Sequence, residues 1–178
     1  MSADPIRLCL ACHPDVPDER VTGISVTVDR GCAGLLLTYR LEGELAALRI
    51  PDAPLDRERL WAHTCFEAFF AGEAGAAYRE FNFSPNGQWM RFDFSAYRQR
   101  ADGPGGSEPA IGLRRDKHVL ELTARLPADQ LPSGALRAGL TAVVEHADGS
   151  LRYWALRHPP GKPDFHHRDG FALTLAAS

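Results

Sequence analysis

Apolar and polar residues alternate with a period of two along most of this chain, which predicts strands with one face toward a core. The pattern is densest in residues 60 to 97. Three strands are expected there, Thr64 to Ala71, Ala77 to Ser84 and Gln88 to Ser95. The last two flank Pro85-Asn86-Gly87, whose Asn-Gly pair suits a tight turn that needs positive φ. In the second strand Tyr78, Glu80, Asn82 and Ser84 share a face, and Arg79, Phe81 and Phe83 share the other. In the third, Met90, Phe92 and Phe94 alternate with Trp89, Arg91 and Asp93, and the apolar trio is expected to face inward.

The same reading extends outward from the centre. Ile6 to Ala11, Thr22 to Asp29, Leu35 to Leu41, Ile111 to Arg115 and Val119 to Leu126 are further strands, with a short run at Ala46 to Ile50. Ala138 to His146 and Leu151 to Leu156 form a second hairpin across Ala147-Asp148-Gly149-Ser150, and Phe171 to Leu175 returns as a last strand. Residues 51 to 59 read as a loop with one helical turn capped by Asp56. Residues 99 to 109 read as a surface loop, and 158 to 170, rich in Pro and Gly, cannot be regular sheet. About ten or eleven short strands with no substantial helix or internal repeat predict an all-β fold, an antiparallel β-sandwich, with a closed barrel as the alternative.

Length and charge narrow the partners. At 178 residues the chain suits one domain, 1–178. A formal charge of -3 gives no reason to expect nucleic acid or an anionic membrane surface, so the expected partner is a small molecule. The N-terminus has no basic segment followed by an apolar run, and no stretch reaches membrane-spanning length, which predicts a cytoplasmic protein. Cys9, Cys12, Cys32 and Cys65 have no framework spacing and are expected as free thiols.

Several constellations could carry chemistry. Cys9-Leu10-Ala11-Cys12-His13 matches the C-x-x-C-H pattern of c-type haem attachment, yet a strand would point Cys9 away from Cys12, so ordinary strand cysteines are expected. His158, His166 and His167 with Asp164 and Asp169 could ligate a metal, but adjacent histidines on irregular backbone seldom converge, and a hydrogen-bonded loop lining a pocket is expected. Glu67, Glu80 and Asp93 could form a hydrolytic pair, although carboxylates on a sheet face are as often solvated. No nucleophile elbow or phosphate loop is present, so no catalytic residue, metal site or cofactor is assigned. Trp61, Trp89 and Trp154, with Tyr78, Tyr97 and Tyr153, fall near strand ends or beside polar neighbours, where a ring can serve as a docking platform or fill the core.

Trp61-x-x-Thr64-Cys65-Phe66-Glu67, the run from Tyr78 to Trp89, Tyr153-Trp154-Ala155-Leu156 and Pro163-Asp164-Phe165-His166 together resemble the bacterial DOMON-like proteins, relatives of DOMON domains and of family 9 carbohydrate-binding modules. The resemblance covers nearly the whole chain. It implies a β-sandwich that holds a sugar or a b-type haem without catalysing a reaction. In sugar-binding relatives two tryptophans sandwich the ring and a glutamate meets its hydroxyls, a pattern to which Trp61 and Glu67 are similar, with Trp154 the candidate second wall. Asn82, Gln88 and Arg91 are expected polar contacts, and His158 and His166 are expected to shape the pocket. In haem-binding relatives a methionine and a histidine ligate iron; here Met90 would serve with His63, His158 or His166. The leading expectation is a non-catalytic module for a carbohydrate, with haem or metal binding as the alternative.

Overall fold

The computed structural model describes residues 4–177, and within them the chain is an antiparallel β-sandwich. One sheet runs β1 (Ile6–Cys12), β2 (Val21–Gly31), β3 (Gly34–Gly43), β9 (Val119–Pro127) and β8 (Ala110–Arg115) in spatial order. The other runs β7 (Gln99–Ala101), β6 (Trp89–Ala96), β5 (Tyr78–Phe83), β4 (Cys65–Gly72), β10 (Leu136–Glu145) and β11 (Leu151–Ala155), with β12 (Leu173–Leu175) also on β10. The end of β1 crosses from one sheet to the other, Ala11 opposing Ala155 and Cys12 opposing Trp154. The helical elements are short 3-10 turns, and among the described residues no helix is long and apolar enough to cross a membrane.

The inner faces make one core. Val26, Leu37, Leu122 and Leu126 of the first sheet meet Phe66, Phe70, Phe81 and Leu140 of the second, all excluded from solvent. Tyr39 spans the gap: its ring lies 5.1 Å from that of Phe66, and its hydroxyl donates to the Glu67 carbonyl at 2.7 Å. A buried hydroxyl left unpaired would cost about 1–3 kcal/mol, so this bond fixes where the two sheets face each other.

The second sheet is covered on both sides. Phe69, Ala71, Tyr78, Phe92, Phe94 and Phe171 form a separate buried cluster on its outer face, with Met90 and Phe165 packed against it. This explains why β4 reads CFEAFFAG with little alternation, since a strand buried on both faces has no polar side to show. It also corrects the inward placement of Met90, Phe92 and Phe94. Arg79, Arg91 and Asp93 occupy the opposite face, where Arg79 Nε meets Asp93 Oδ1 at 2.7 Å and Arg91 Nε meets Oδ2 at 3.0 Å. Arg91 also donates to Gln130 Oε1 at 2.7 Å, so a polar plug closes the sandwich edge beside β6.

Both hairpin turns repeat one device. Gly87 N donates to the Ser84 carbonyl and Gly149 N to that of His146, both glycines at positive φ, while Asn86 and Asp148 accept from the backbone two residues on. Only the glycine of Asn86-Gly87 takes positive φ, so the connection is a type I turn followed by a left-handed glycine. Two boundaries differ from the sequence reading. Ala46 to Ile50 contributes a 3-10 turn (Leu45–Ala47) and one bridge from Leu48 to His146, and the loop after residue 98 opens with β7.

Gly34 tests the packing at the β3–β9 pairing. Its φ is +133°, and a Cβ there would stand 2.0 Å from the Leu126 carbonyl oxygen. Gly34→Ala is expected to lose about 2 kcal/mol or more, read as a fall in thermal midpoint of roughly 4 °C or more. An unchanged midpoint would contradict this packing.

Candidate functional site

The outer face of the second sheet holds a cavity of about 480 Å³. Glu67 of β4 and Glu80 of β5 form its floor beside Phe92 and Phe94 of β6. Trp61 of a 3-10 helix and Tyr153 of β11 wall it, as do Pro163, Phe165 and His166 of the strap of residues 156 to 172 that joins β11 to β12. Arg98 and Arg100 stand at its rim.

Each element is held in place by identifiable bonds. Trp61 sits on the 3-10 helix Arg57–Ala62, which Asp56 caps by accepting from Glu58 N at 3.0 Å. Its indole N–H donates to the Glu58 carbonyl at 3.1 Å, and the ring is 45% exposed, the most open tryptophan position one would want for docking. Arg100 ties β7 to this helix through Glu58 Oε2 at 3.0 Å and lies 4.0 Å over the Phe92 ring. The strap is pinned by Asp164, which accepts from the Tyr97 hydroxyl at 2.7 Å and from Arg98 Nη2 at 3.0 Å. Arg98 is the one described non-glycine residue at positive φ (54°), and its backbone N–H donates to the Tyr78 hydroxyl at 3.0 Å. The Tyr78 hydroxyl also shares a hydrogen bond with His166 Nδ1 at 2.8 Å, and His166 Nε2 faces Glu80 Oε2 at 3.7 Å.

Burial dominates the electrostatics. Glu67 and Glu80 are 3% and 5% exposed. Burial, then the neighbouring Glu80 charge, holds the Glu67 carboxyl well above the usual carboxylate range, against the opposing bond from Thr141 at 3.1 Å. Burial also raises Glu80 to about 7, with the Asn82 amide, 2.7 Å from Oε1, working the other way. Burial and then Arg98 lower His166 to about 4. The floor acids thus hold their protons to higher pH than exposed carboxylates do, beside an imidazole kept neutral by burial.

The expected site residues separate into two groups. Trp61, Glu67 and His166 line the cavity. Asn82 lies beneath it, fully buried, holding Glu80 and accepting from Cys65 Sγ at 3.7 Å. Trp154 does not wall the cavity: it belongs to the main core at 7% exposure, and its indole N–H donates to Asp18 Oδ2 at 3.1 Å. It alternates with Tyr153, whose ring does reach the site, so the platform on β11 lies one residue earlier. Gln88 clamps the loop before the 3-10 helix, bonding both Leu55 N and Leu55 O, at 2.6 and 3.0 Å. Arg91 belongs to the edge plug, and His158 donates from Nε2 to the Ala11 carbonyl at 2.8 Å, outside the cavity. The sequence reading missed Arg98, Arg100, Phe92, Phe94 and Phe165 as lining.

The other constellations resolve as structure. Cys9 is exposed while Cys12 is partly buried, with its thiol toward the Val16 carbonyl, and both His13 nitrogens are engaged, by Gly161 O at 3.0 Å and Asp15 N at 3.2 Å. Among the described residues no three His, Cys, Asp or Glu side chains converge as a metal set. Met90 packs on the outer cluster and is not part of the cavity lining, so it does not join His166 there as a haem ligand pair would. Asp93 is committed to two arginines on the opposite face from Glu67 and Glu80.

The fold and site together define a β-sandwich with an aromatic-walled, acid-floored cavity on one sheet. No family model matches the chain, and no curated protein matches it. Among solved structures it is similar to a protein from Bacteroides uniformis described as a candidate carbohydrate-binding protein, with a TM-score of 0.72 at 17% identity over 97% of this chain and 85% of the other. At that identity the likeness is one of fold.

The opposed shifts give a pH signature. Glu80 in the folded chain keeps its proton from its ordinary 4.5 up to about 7, so stability falls as pH rises through that window. His166 has the reverse sign, with stability rising from about 4 to its ordinary 6.5, so the two oppose each other below 6.5 and the acids act alone above it. Glu80→Gln is expected to flatten the fall in stability between pH 6.5 and 8, and to exceed the parent at pH 8 by up to ~3 kcal/mol in urea unfolding. Parallel curves for the two proteins would contradict the assignment.

Proposed function

We propose that the chain is one ligand-binding domain that holds a small carbohydrate or sugar derivative in this cavity without catalysing a reaction. The observation that carries the proposal is that the half-exposed Trp61 and two buried acids line one cavity, since a sugar offers a ring face of C–H groups to an indole and hydroxyls to carboxyl groups. Tyr153 and Phe165, whose rings lie 5.9 Å apart, supply a second aromatic surface in the role expected of Trp154. The cavity volume of about 480 Å³ falls within the span typical of small-ligand sites, roughly 300–1,000 Å³. The similarity in fold to the Bacteroides uniformis protein, and the resemblance of the Trp61 to Glu67 segment to the sugar-binding DOMON relatives, support the same reading.

The test is a tryptophan-fluorescence titration against a panel of mono- and disaccharides. Trp61→Ala is expected to weaken binding about tenfold or more while changing stability by less than ~0.5 kcal/mol, because the ring is exposed. Trp154→Phe serves as the contrast: it removes the bond to Asp18 and is expected to lose about 1 kcal/mol of stability with affinity unchanged. A folded protein that responds to no sugar would contradict the proposal, as would full affinity in the Trp61 variant.

A further inference from the structure

Among the described residues, the other carboxylates that anchor this chain are paired with arginine or histidine. Asp93 is held by Arg79 and Arg91 at 2.7 and 3.0 Å, Glu145 by Arg49 and His63 at 3.1 and 2.8 Å, and Asp18 by His146 at 3.0 Å. Glu67 and Glu80 differ. Among the described residues Glu67 makes no ion pair, and Glu80 reaches only His166 at 3.7 Å, an imidazole whose burial keeps it neutral. The rim cations are already engaged, Arg98 with Asp164 and Arg100 with Glu58, each at 3.0 Å.

Thr141 occupies Glu67 Oε2 and Asn82 occupies Glu80 Oε1, while Glu67 Oε1 and Glu80 Oε2 receive no protein hydrogen bond among the described residues. Both side chains are more than nine-tenths buried and line the cavity. Trp61, Phe94 and Tyr153 line the same space, and aromatic rings attract a cation as well as an apolar ring. The site therefore has two desolvated acids with open acceptor atoms beside aromatic rings, and among the described residues no arginine or lysine pairs with either acid.

We infer that the ligand supplies a cationic partner: the cavity takes an amino sugar, its ammonium group seated between Glu67 and Glu80. The inference rests on the carbohydrate reading and names the class of sugar. Entry of an ammonium group ionises an acid pair that holds a proton in the free protein, so binding releases a proton and weakens in acid. Arg98, Arg100 and His166 face Glu80 from the rim and strap, Tyr78 and Asp164 stand behind His166, and Cys65 and Tyr39 lie near Glu67; none supplies the missing ion pair.

Isothermal titration calorimetry of the full chain with glucosamine, galactosamine and mannosamine, each beside its parent hexose and its N-acetyl derivative, tests this. The expected result is that at least one amino sugar binds about tenfold or more tightly than both of its counterparts, the gain of a charge-assisted hydrogen bond. Runs near pH 6 in two buffers of different ionisation enthalpy are expected to show release of about one proton per ligand. Glu67→Gln and Glu80→Gln, each confirmed folded by near-ultraviolet circular dichroism, are expected to lose the preference and the proton release. Equal binding of hexose and amino sugar, or binding without proton release, overturns the inference and leaves the carbohydrate reading standing. Failure of every sugar in the panel overturns both.

Discussion

The structure depends on the pinning of the 156 to 172 strap across the outer face of the second sheet. Asp164 grips Tyr97 and Arg98, His166 bonds Tyr78, and Phe171 stacks on Phe69 at 5.7 Å, so polar locks and aromatic packing work along one segment. Arg137 holds the Phe171 carbonyl through Nε and Nη2, at 3.0 and 2.8 Å, which anchors the strap's far end to β10. Without that cover, Phe69, Tyr78, Phe92 and Phe94 would face water, and burying each such ring contributes about 1.5–3 kcal/mol. The cavity is the part of this face that the strap leaves uncovered.

Two-sided burial is also what gives the floor its chemistry. On a sheet with one wet face, Glu67 and Glu80 would be solvated side chains with ordinary titration. Here the main core lies on one side of β4 and β5 and the strap on the other, and the acids keep protons at a pH where exposed carboxylates have lost them. Tyr39 extends this coupling to the opposite sheet, because its hydroxyl holds the backbone of Glu67 itself.

Strand positions were legible because alternation and turn residues agree: Ser84-Pro85-Asn86-Gly87 and His146-Ala147-Asp148-Gly149 announce hairpins, and Asp56 announces a cap. The inward or outward sense of each strand was not. In β6 the apolar Phe92 and Phe94 suggested the core, yet the polar Arg91 and Asp93 occupy the core side, where Asp93 pairs with Arg79 and Arg91 and Gln130 accepts from Arg91 at the sandwich edge. On β11 the resemblance pointed to Trp154 as the second wall, whereas the residue that lines the cavity is its neighbour of opposite parity, Tyr153. Trp61 and Glu67 were reached through the resemblance of one short segment to the sugar-binding relatives. Arg98, Arg100 and Phe165 reach the cavity from segments distant in sequence, and only the fold of the strap and the β6–β7 turn brings them together. Gln88 and Arg91 illustrate a further limit: a polar residue beside a predicted pocket has the same appearance in sequence whether it meets a ligand or, as here, clamps a loop or plugs an edge.

The decisive observation is the titration of the two floor acids themselves, followed by carbon-detected NMR of the glutamate side-chain carboxyls in the ligand-free chain, with Glu67 and Glu80 assigned from their Gln variants. A floor buried on both sides predicts that Glu80 titrates near 7 and that Glu67 holds its proton above the ordinary 4.5. Two carboxyls that both lose their protons near 4.5 would mean that water reaches them freely and that the strap does not close this face.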